Sequence, residues 1–420
     1  MQHQSSVVAR HGFRAGLPER LALVESLALV LFGVLVHRHP AWYPFGPDDR
    51  FADMSLIADV QVGAAASVLV LGGVVASLAA LWLVLGRAAS QQLLAAVVVV
   101  GVVVAVTFAY VVPDIQLLIV TAYSLTLSLP TVVAFVLVWR TLGRLGERLR
   151  PRARWWTAAA AGGAVLVATV GGLMVVAKPW TWNGGEGGDA VDLRPLLLLA
   201  SALIGVSWAL VALRAVRHLR HRCVRCGRPG AAWTAPEAAA RWGRVVTWAT
   251  ALCPLPYVLT RLTWLTPWPY GESAETLADN PGLRVFGLGL AVAGEVGTWL
   301  TLSLIKPRGE VFPGWVPRLG GRTVPVMSAV VPGFSVALLM SLGGHSILQQ
   351  AFGPGSTWED HALVLLVPLP IWGPLLAAST LAYWYRRRPV CRSGQRSRSV
   401  MPSTSSAWSS CSSVSSPRST

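Results

Sequence analysis

Charged residues are scarce in this sequence, and lysine is almost absent. Only 13% of the 420 residues are Asp, Glu, Lys or Arg, whereas a soluble domain carries about 25%. Lysine occurs only at Lys178 and Lys306, so nearly all of the basic residues are arginine. Low charge combined with long apolar runs excludes an ordinary soluble domain and is typical of a membrane protein.

The sequence also contains few cysteines and no P-loop nucleotide-binding signature. Five Cys in a chain of this length exclude a scaffold built on disulfides. The Gly-x-x-x-x-Gly-Lys-[Ser/Thr] sequence of P-loop ATPases does not occur, so the chain contains no such motor. The first apolar run lacks the small-residue cleavage site of a signal peptide, and we expect it to remain as an anchor.

Long apolar runs dominate what is present, and each is long enough for a helix that crosses the bilayer. They predict an all-α, polytopic transmembrane helix bundle of about ten spans with both termini in the cytoplasm. The runs cover residues 19–36, 57–86, 92–112, 115–139, 157–177, 195–214, 245–265, 284–305, 324–347 and 362–385.

The spacing of the runs predicts how the chain is organised. A four-span region (1–139) precedes a basic cytoplasmic loop (140–156) and a six-span region (157–388). The longest cytoplasmic loops of the six-span region are 215–244 and 306–323. The tail over 389–420 is rich in Ser and is expected to be disordered.

The charges indicate the orientation. Segments that would face the cytoplasm hold 29 of the 35 Lys and Arg, and the opposite loops hold 12 of the 19 Asp and Glu. This is the positive-inside pattern, and it predicts a multi-pass protein of the bacterial plasma membrane. It also explains the net charge of +16, so we expect anionic lipids at the inner face as partners and no nucleic acid.

Of the charged residues within the predicted spans, three lie furthest from the span ends, where charges are costly and often functional. Glu295 lies near the middle of the eighth span, Arg261 near the outer end of the seventh, and Glu25 about two turns into the first. Glu295, Arg261 and Glu25 are candidates for a substrate or ion pathway. For Glu295 and Arg261, a structural ion pair or a snorkelling arginine is the alternative.

Several other polar residues lie at the ends of predicted spans. Asp59 and Gln61 open the second span, Asp114 and Gln116 open the fourth, and His345 lies near the end of the ninth. Each is close enough to an aqueous face that we expect it to be solvated.

Prolines interrupt three of the last four spans, within CPLPY (253–257), VPGF (331–334) and VPLPIWGP (367–374). Broken helices are used by transporters to build binding sites, although prolines also occur as plain kinks. Since the breaks share spans with Arg261 and Glu295, the pattern favours a cavity among spans seven to ten.

A cytoplasmic stretch, HLRHRCVRCGRPG, contains His218, His221, Cys223 and Cys226. Cys-x-x-Cys-Gly resembles a zinc knuckle, in which a tight turn presents two thiolates. Only Cys391 could add a thiolate on that side, so a redox pair and an ordinary thiol pair are alternatives. Zinc is the only cofactor that the sequence suggests, and a cytoplasmic protein partner is the corresponding interaction.

The first outer loop, FGPDDRFADM, carries Asp48 and Asp49 directly after the first span. It resembles, in this one respect, membrane glycosyltransferases that use polyprenyl-phosphate sugars and keep an acidic pair in that loop. A carboxylate there can act as a base or hold a metal. A solvated turn is the alternative.

The loop GEVFPGWVPRLGGRTVP (309–325) is too polar for the bilayer, and its prolines exclude a long helix. We expect a compact loop at the inner interface. The segment is similar to one in uncharacterised multi-spanning membrane proteins of actinobacteria, and this resemblance implies a ten-span bacterial membrane protein without implying an activity. The residues that carry it are Glu310, Phe312, Pro313, Trp315, Gly321, Arg322, Val324 and Pro325.

The leading hypothesis for function is a transporter or permease for a small molecule or lipid, with Glu295 central. The alternatives are a membrane-embedded transferase acting on a lipid-linked substrate through Asp48 and Asp49, and a sensor or scaffold that uses the Cys-x-x-Cys loop.

Overall fold

The computed structural model describes residues 15–46, 49, 51–86, 90–122, 194–224, 226–227, 230–312, 314 and 320–388. Its helices follow from long apolar stretches flanked by Pro, Gly and capping residues. They are α1 (Leu17–Arg38), α2 (Val62–Val84), α3 (Gln91–Val106), α4 (Arg194–Leu219), α5 (Pro236–Leu252), α6 (Leu255–Thr263), α7 (Ala274–Asp279), α8 (Pro281–Ser303), α9 (Val326–Phe352), α10 (Trp358–Leu366) and α11 (Leu369–Arg387).

Within the described part of the chain, eight helical segments are long and apolar enough to cross a membrane. Six of these segments are single helices, one of which is α3 together with the short turn that follows it. The other two segments are the helix pairs α5–α6 and α10–α11. All eight coincide with predicted spans, which confirms the all-α polytopic bundle. The predicted spans 115–139 and 157–177 lie mostly or wholly outside the described residues, as do the loop 140–156 and the tail 389–420.

Glycines allow α1 and α2 to pack backbone against backbone. A Cβ atom on Gly33 would lie 2.9 Å from the backbone nitrogen of Val70, and one on Gly73 would lie 3.0 Å from that of Val30. The contacts pair later residues of α1 with earlier residues of α2, so the two helices are antiparallel. Lipid supplies no hydrophobic driving force between helices, and small residues at the contact allow close van der Waals packing instead.

A short π-helical turn, Thr107–Val111, extends α3 and shapes its contact with α4. The Ser201 hydroxyl donates a 2.7 Å hydrogen bond to the carbonyl of Phe108 in this turn. Gly205 lies against Ala109 so closely that a Cβ atom would be 2.3 Å from its backbone nitrogen. Such turns are common at functional sites, and this one directs the chain towards Asp114.

The prolines break two of the three spans in which the sequence placed breaks. Both breaks occur at a Pro-Leu-Pro sequence, with Pro254 between α5 and α6 and Pro368 between α10 and α11. The second proline then stands in the first turn of the new helix, where its missing N–H is not needed. Single prolines at 332 and 374 remain inside α9 and α11.

Three consecutive arginines at the end of α11 hold the inner loops in place. Arg386 and Arg387 donate hydrogen bonds to the carbonyls of Leu304 (2.7 Å) and Gly309 (3.1 Å). Arg388 is buried and donates to the carbonyl of Cys226 at 3.0 Å. In the loop after α8, residues 310–312 pair with residues 321–324 through backbone hydrogen bonds. Residues 313 and 315–319 lie outside the described part of the chain, so the compact form of the whole loop stays a prediction.

We predict that Gly73→Ala destabilises the protein, because the added methyl group meets the α1 backbone. Overpacking of this kind costs about 1–3 kcal/mol, which should appear as a lower thermal unfolding temperature in detergent. Gly72→Ala is the matched control, since a Cβ atom at Gly72 meets nothing within 4 Å. Equal unfolding temperatures for the two variants would contradict the close packing of α1 and α2.

Candidate functional site

A buried ionic cluster lies where the predicted outer ends of the spans meet. The outer cluster consists of Asp49, Asp114, Gln116 and Arg194. Arg194 Nη2 is 2.6 Å from Asp49 Oδ2 and 2.5 Å from Asp114 Oδ2. The other terminal nitrogen of Arg194, Nη1, donates a hydrogen bond to the side-chain oxygen of Gln116. Arg194, at the start of α4, therefore connects this helix to Asp49 in the first loop and to Asp114 and Gln116.

Aromatic rings enclose the Arg194 guanidinium and keep it from water. Its Cζ atom is 5.2 Å from the ring centroids of both Phe45 and Phe51. Arg194 is 3% exposed. Cation–π contact contributes more when the cation is desolvated, so the two rings favour the ionised arginine in this position.

Helix α9 completes the surroundings of the outer cluster. His345 Nε2 is 3.0 Å from the carbonyl of Pro113, the residue directly before Asp114. The Ser346 hydroxyl donates to the carbonyl of Met54 at 2.8 Å and accepts from the N–H of Ile115 at 3.1 Å. The cluster therefore lies between the first four described spans and the ninth predicted span.

The charges of the outer cluster are unbalanced among the described residues. Arg194 supplies one positive charge, whereas Asp49 and Asp114 supply two carboxylates. Burial raises the pKa of the Asp49 carboxyl above 3.8, against the opposing effects of Arg194 and of the Phe51 N–H, which donates to Asp49 at 3.3 Å. Burial of Asp49 therefore has a larger effect on the pKa of this carboxyl than its contact with Arg194 has.

This arrangement bears on the transferase hypothesis for the first outer loop. Asp49 is not a solvated turn residue, because its side chain is 7% exposed and contacts Arg194. The guanidinium opposes proton uptake by this carboxylate, whereas burial favours it. Asp48 lies outside the described residues, so its part in that hypothesis stays a prediction.

The expectation that Asp114, Gln116 and His345 are solvated is wrong. Asp114 and Gln116 are fully buried and His345 is 7% exposed, because Arg194 and α9 pack onto them from distant parts of the sequence. Asp59 and Gln61 are exposed, as expected. One signal in the sequence could have identified the cluster, since VPDIQ and Arg194 each directly precede an apolar run at the predicted outer face.

Glu25 takes part in a series of polar contacts between α1 and α4. Its Oε1 atom accepts a 3.1 Å hydrogen bond from the Ser207 hydroxyl, and its Oε2 atom is buried without a hydrogen-bond partner. Nearer the inner end, Arg214 donates to Glu19 at 2.6 Å. Glu25 is therefore connected to α4 through Ser207, and its place in a pathway stays a prediction.

Glu295 lies in a groove between α6 and α8 and is exposed there. The groove has a volume of about 610 Å³, and apart from Glu295 and Trp299 its lining is aliphatic. It is formed by two of the four spans that the sequence indicated. Its lining residues are Val258, Leu262, Leu265, Leu288, Ala291, Val292, Glu295, Val296 and Trp299.

Arg261 lies on α6 but does not pair with Glu295. Its Cζ atom is 4.1 Å from a ring centroid of Trp264 and 4.9 Å from the ring centroid of Tyr257. Of the ion pairs within the described residues, none includes Arg261 or Glu295. The two candidates therefore lie on neighbouring helices without neutralising each other.

The Cys-x-x-Cys loop forms a tight turn at the predicted inner face. The Gly227 N–H donates to the carbonyl of Cys223 at 2.7 Å, and neither Cys223 nor Cys226 forms a disulfide with another described residue. In the parts of the chain that the structure describes, no three His, Cys, Asp or Glu residues form a group able to hold a metal, so His218 and His221 complete no such group. Cys391 lies outside those parts, and zinc binding stays a prediction.

Comparisons with protein-family models, with curated proteins and with solved structures found no match for this chain.

We predict that Arg194→Gln strongly destabilises the protein. Removing the guanidinium leaves two buried carboxylates without their partner, and breaking a buried ion pair costs about 3–5 kcal/mol. Fluorescence-detected size-exclusion chromatography after heating should show a large loss of folded protein. Arg220→Gln, at the exposed end of the same helix, is the control, and an equal loss from both variants would contradict the structural role of the cluster.

Proposed function

We propose that the protein is a permease-like transporter of the bacterial plasma membrane that moves a small amphipathic molecule or a lipid. The observation that supports this proposal is Glu295, an exposed carboxyl group on a membrane-spanning helix within an apolar groove. An acidic residue near the centre of a span costs about 2.5–3.5 kcal/mol on insertion scales. Such a cost is usually retained where the group has a function.

The chemistry of the groove favours an amphipathic ligand. Its volume of about 610 Å³ is within the range of about 300–1,000 Å³ for small-molecule pockets. Aliphatic side chains on both helices would contact an apolar chain or ring system, and Glu295 would pair with a cationic head group such as an amine. Helix α8 is the least buried of the eight candidate spans, so the groove is open to the bilayer.

The helix break at Pro254 lies beside the two helices that form the groove. The Pro254 break separates α5 from α6, and Gly294 of α8 lies opposite this break, with 3.9 Å between its constructed Cβ position and Pro254 Cβ. Discontinuous helices are a common element of transporter binding sites. A movement of α6 against α8 would open or close the groove around Glu295.

We predict that Glu295→Gln abolishes recognition of an amine-bearing lipid. Purified protein in liposomes should move acyl-labelled fluorescent phosphatidylethanolamine between leaflets, measured by bleaching of the outer leaflet with dithionite. The substitution removes the negative charge with little change in volume, and the loss of a charged contact worth about 1.4 kcal/mol or more slows transport about tenfold or more.

Two comparisons make this test specific. Glu237→Gln, which removes an exposed carboxylate at the start of α5, should transport at the wild-type rate. Acyl-labelled phosphatidylglycerol, which lacks an amine, should move more slowly than phosphatidylethanolamine in the wild type and show no dependence on Glu295. Equal rates for wild type and Glu295→Gln with both lipids would reject the groove as the transport site.

A further inference from the structure

Arg261 lies on one of the two helices that form the groove, and its charge has no acidic partner in the described part of the chain. Its side chain forms no ion pair and no hydrogen bond with a described residue, and its Nε atom is buried without a hydrogen-bond partner. A buried polar group without a partner is unfavourable, and more so within a bilayer. An arginine in this condition on a membrane span therefore points to a ligand that supplies the acceptor.

Two aromatic rings hold the Arg261 guanidinium at the depth of its own helical turn. Its Cζ atom is 4.1 Å from a ring centroid of Trp264, one turn towards the predicted outer face, and 4.9 Å from the ring centroid of Tyr257, one turn deeper. An arginine that snorkels would instead extend past the outer end of α6. Contact with ring faces leaves the N–H groups, which lie in the plane of the guanidinium, available to an anion.

Helices α6 and α8 are antiparallel and meet at two levels. Near the predicted outer face, a Cβ atom on Gly287 would overlap the ring of Trp264, which directly follows α6. Deeper in the bilayer, a Cβ atom on Gly294 would lie 3.7 Å from Val258. Residues late in α6 therefore pair with residues early in α8, and the pairing of Val258 with Gly294 relates depth on one helix to depth on the other.

Arg261 and Glu295 lie close in depth without contacting each other. Counted from the pairing of Val258 with Gly294, Arg261 is further out and Glu295 is deeper, and at a rise of about 1.5 Å per residue their depths differ by about 6 Å. Side chains on a helix incline towards its N-terminus, so Arg261 inclines inwards and Glu295 outwards. A cationic and an anionic side chain therefore approach the same level of the groove and do not form an ion pair.

We propose that a zwitterionic lipid head group binds at this level, with its phosphate on Arg261 and its amine on Glu295. The assignment rests on the proposed function and narrows the substrate to a lipid in which a phosphate and an amine are neighbours, as in phosphatidylethanolamine. Each charge of this head group meets an opposite charge, and the acyl chains meet the aliphatic lining of the groove. A guanidinium can donate two parallel hydrogen bonds to phosphate oxygens. Arg261 is then the residue that distinguishes a phosphate-bearing amine from a simple amine.

We predict that Arg261→Gln weakens the binding of phosphatidylethanolamine about tenfold or more, since hydrogen bonds to a charged group contribute that much to affinity. Binding is measured by native mass spectrometry of the full-length protein in a non-ionic detergent, at increasing lipid concentrations. A diacyl lipid that carries an amine but no phosphate should bind wild type and Arg261→Gln equally, and should bind Glu295→Gln more weakly. Equal weakening of both lipids by Arg261→Gln would show a structural role and overturn the assignment.

Transport in liposomes separates failure of this assignment from failure of the proposed function. Movement of phosphatidylethanolamine should depend on both Arg261 and Glu295, whereas movement of phosphatidylglycerol, which has a phosphate but no amine, should depend on Arg261 alone. Wild-type transport of both lipids by Arg261→Gln, with a loss in Glu295→Gln, would overturn the phosphate contact and leave the proposed function in place. Binding that depends on Arg261, without transport of any lipid by the wild type, would reject the proposed function and retain the phosphate contact.

Further comparisons control for damage to the protein. Arg244→Gln removes an exposed arginine of α5 and should bind phosphatidylethanolamine with wild-type affinity. If Arg261→Gln fails to fold, the wild type still tests the assignment, since it should bind phosphatidylethanolamine about tenfold or more tightly than the phosphate-free amine lipid, and equal affinities would overturn it. Soluble phosphoethanolamine should displace the bound lipid at a concentration at which ethanolamine does not, and equal displacement by the two would contradict a phosphate contact.

Discussion

A guanidinium buried among carboxylates constrains every segment that supplies a partner. Taking a charge out of water costs several kcal/mol, and the cost is recovered only when ion pairs and hydrogen bonds form with good geometry. Arg194 meets this condition with the first loop, the segment around Asp114 and the start of α4 at the same time. Arg194 contacts the loop between α1 and α2 at Asp49, and Ser346 of α9 contacts the same loop at Met54.

Elsewhere in the bundle, close packing at glycines holds the helices together, whereas ion pairs do so at the outer cluster. Gly33, Gly73 and Gly205 bring helices into contact at distances that no side chain would permit. Such contacts stabilise helix pairs in lipid, where apolar surface has no preference for protein over solvent. The groove beside Glu295 is where this close packing stops, because α6 is short and α8 has few buried residues.

The membrane spans could be predicted from the sequence because a membrane helix is recognised by its length and apolar content, which are local properties. The helix breaks could be predicted only in part. Pro254 and Pro368, which belong to Pro-Leu-Pro sequences, break their spans, whereas the single Pro332 remains inside a continuous helix. A rule based on single prolines treats these positions alike. Two neighbouring prolines, in contrast, remove two donors and provide a preferred first turn for the next helix.

The outer cluster could not be predicted in the same way. Asp114 and Gln116 become buried through a residue 78 to 80 positions later in the chain, and hydropathy contains no information about that pairing. Glu295 was identified because its environment is set mainly by its own helix and by the lipid. Residues whose role depends on local context are accessible from the sequence, whereas those that depend on a distant partner are not.

The arginines at the end of α11 are synthesised after the two loops whose carbonyls they bind. The loop around Cys226 and the loop around Gly309 are synthesised well before residues 386–388, which supply the donors for their carbonyls. During synthesis, these loops depend on water for their hydrogen bonds until the last helix has been inserted. These loops therefore acquire their arginine hydrogen bonds only after α11 has been synthesised.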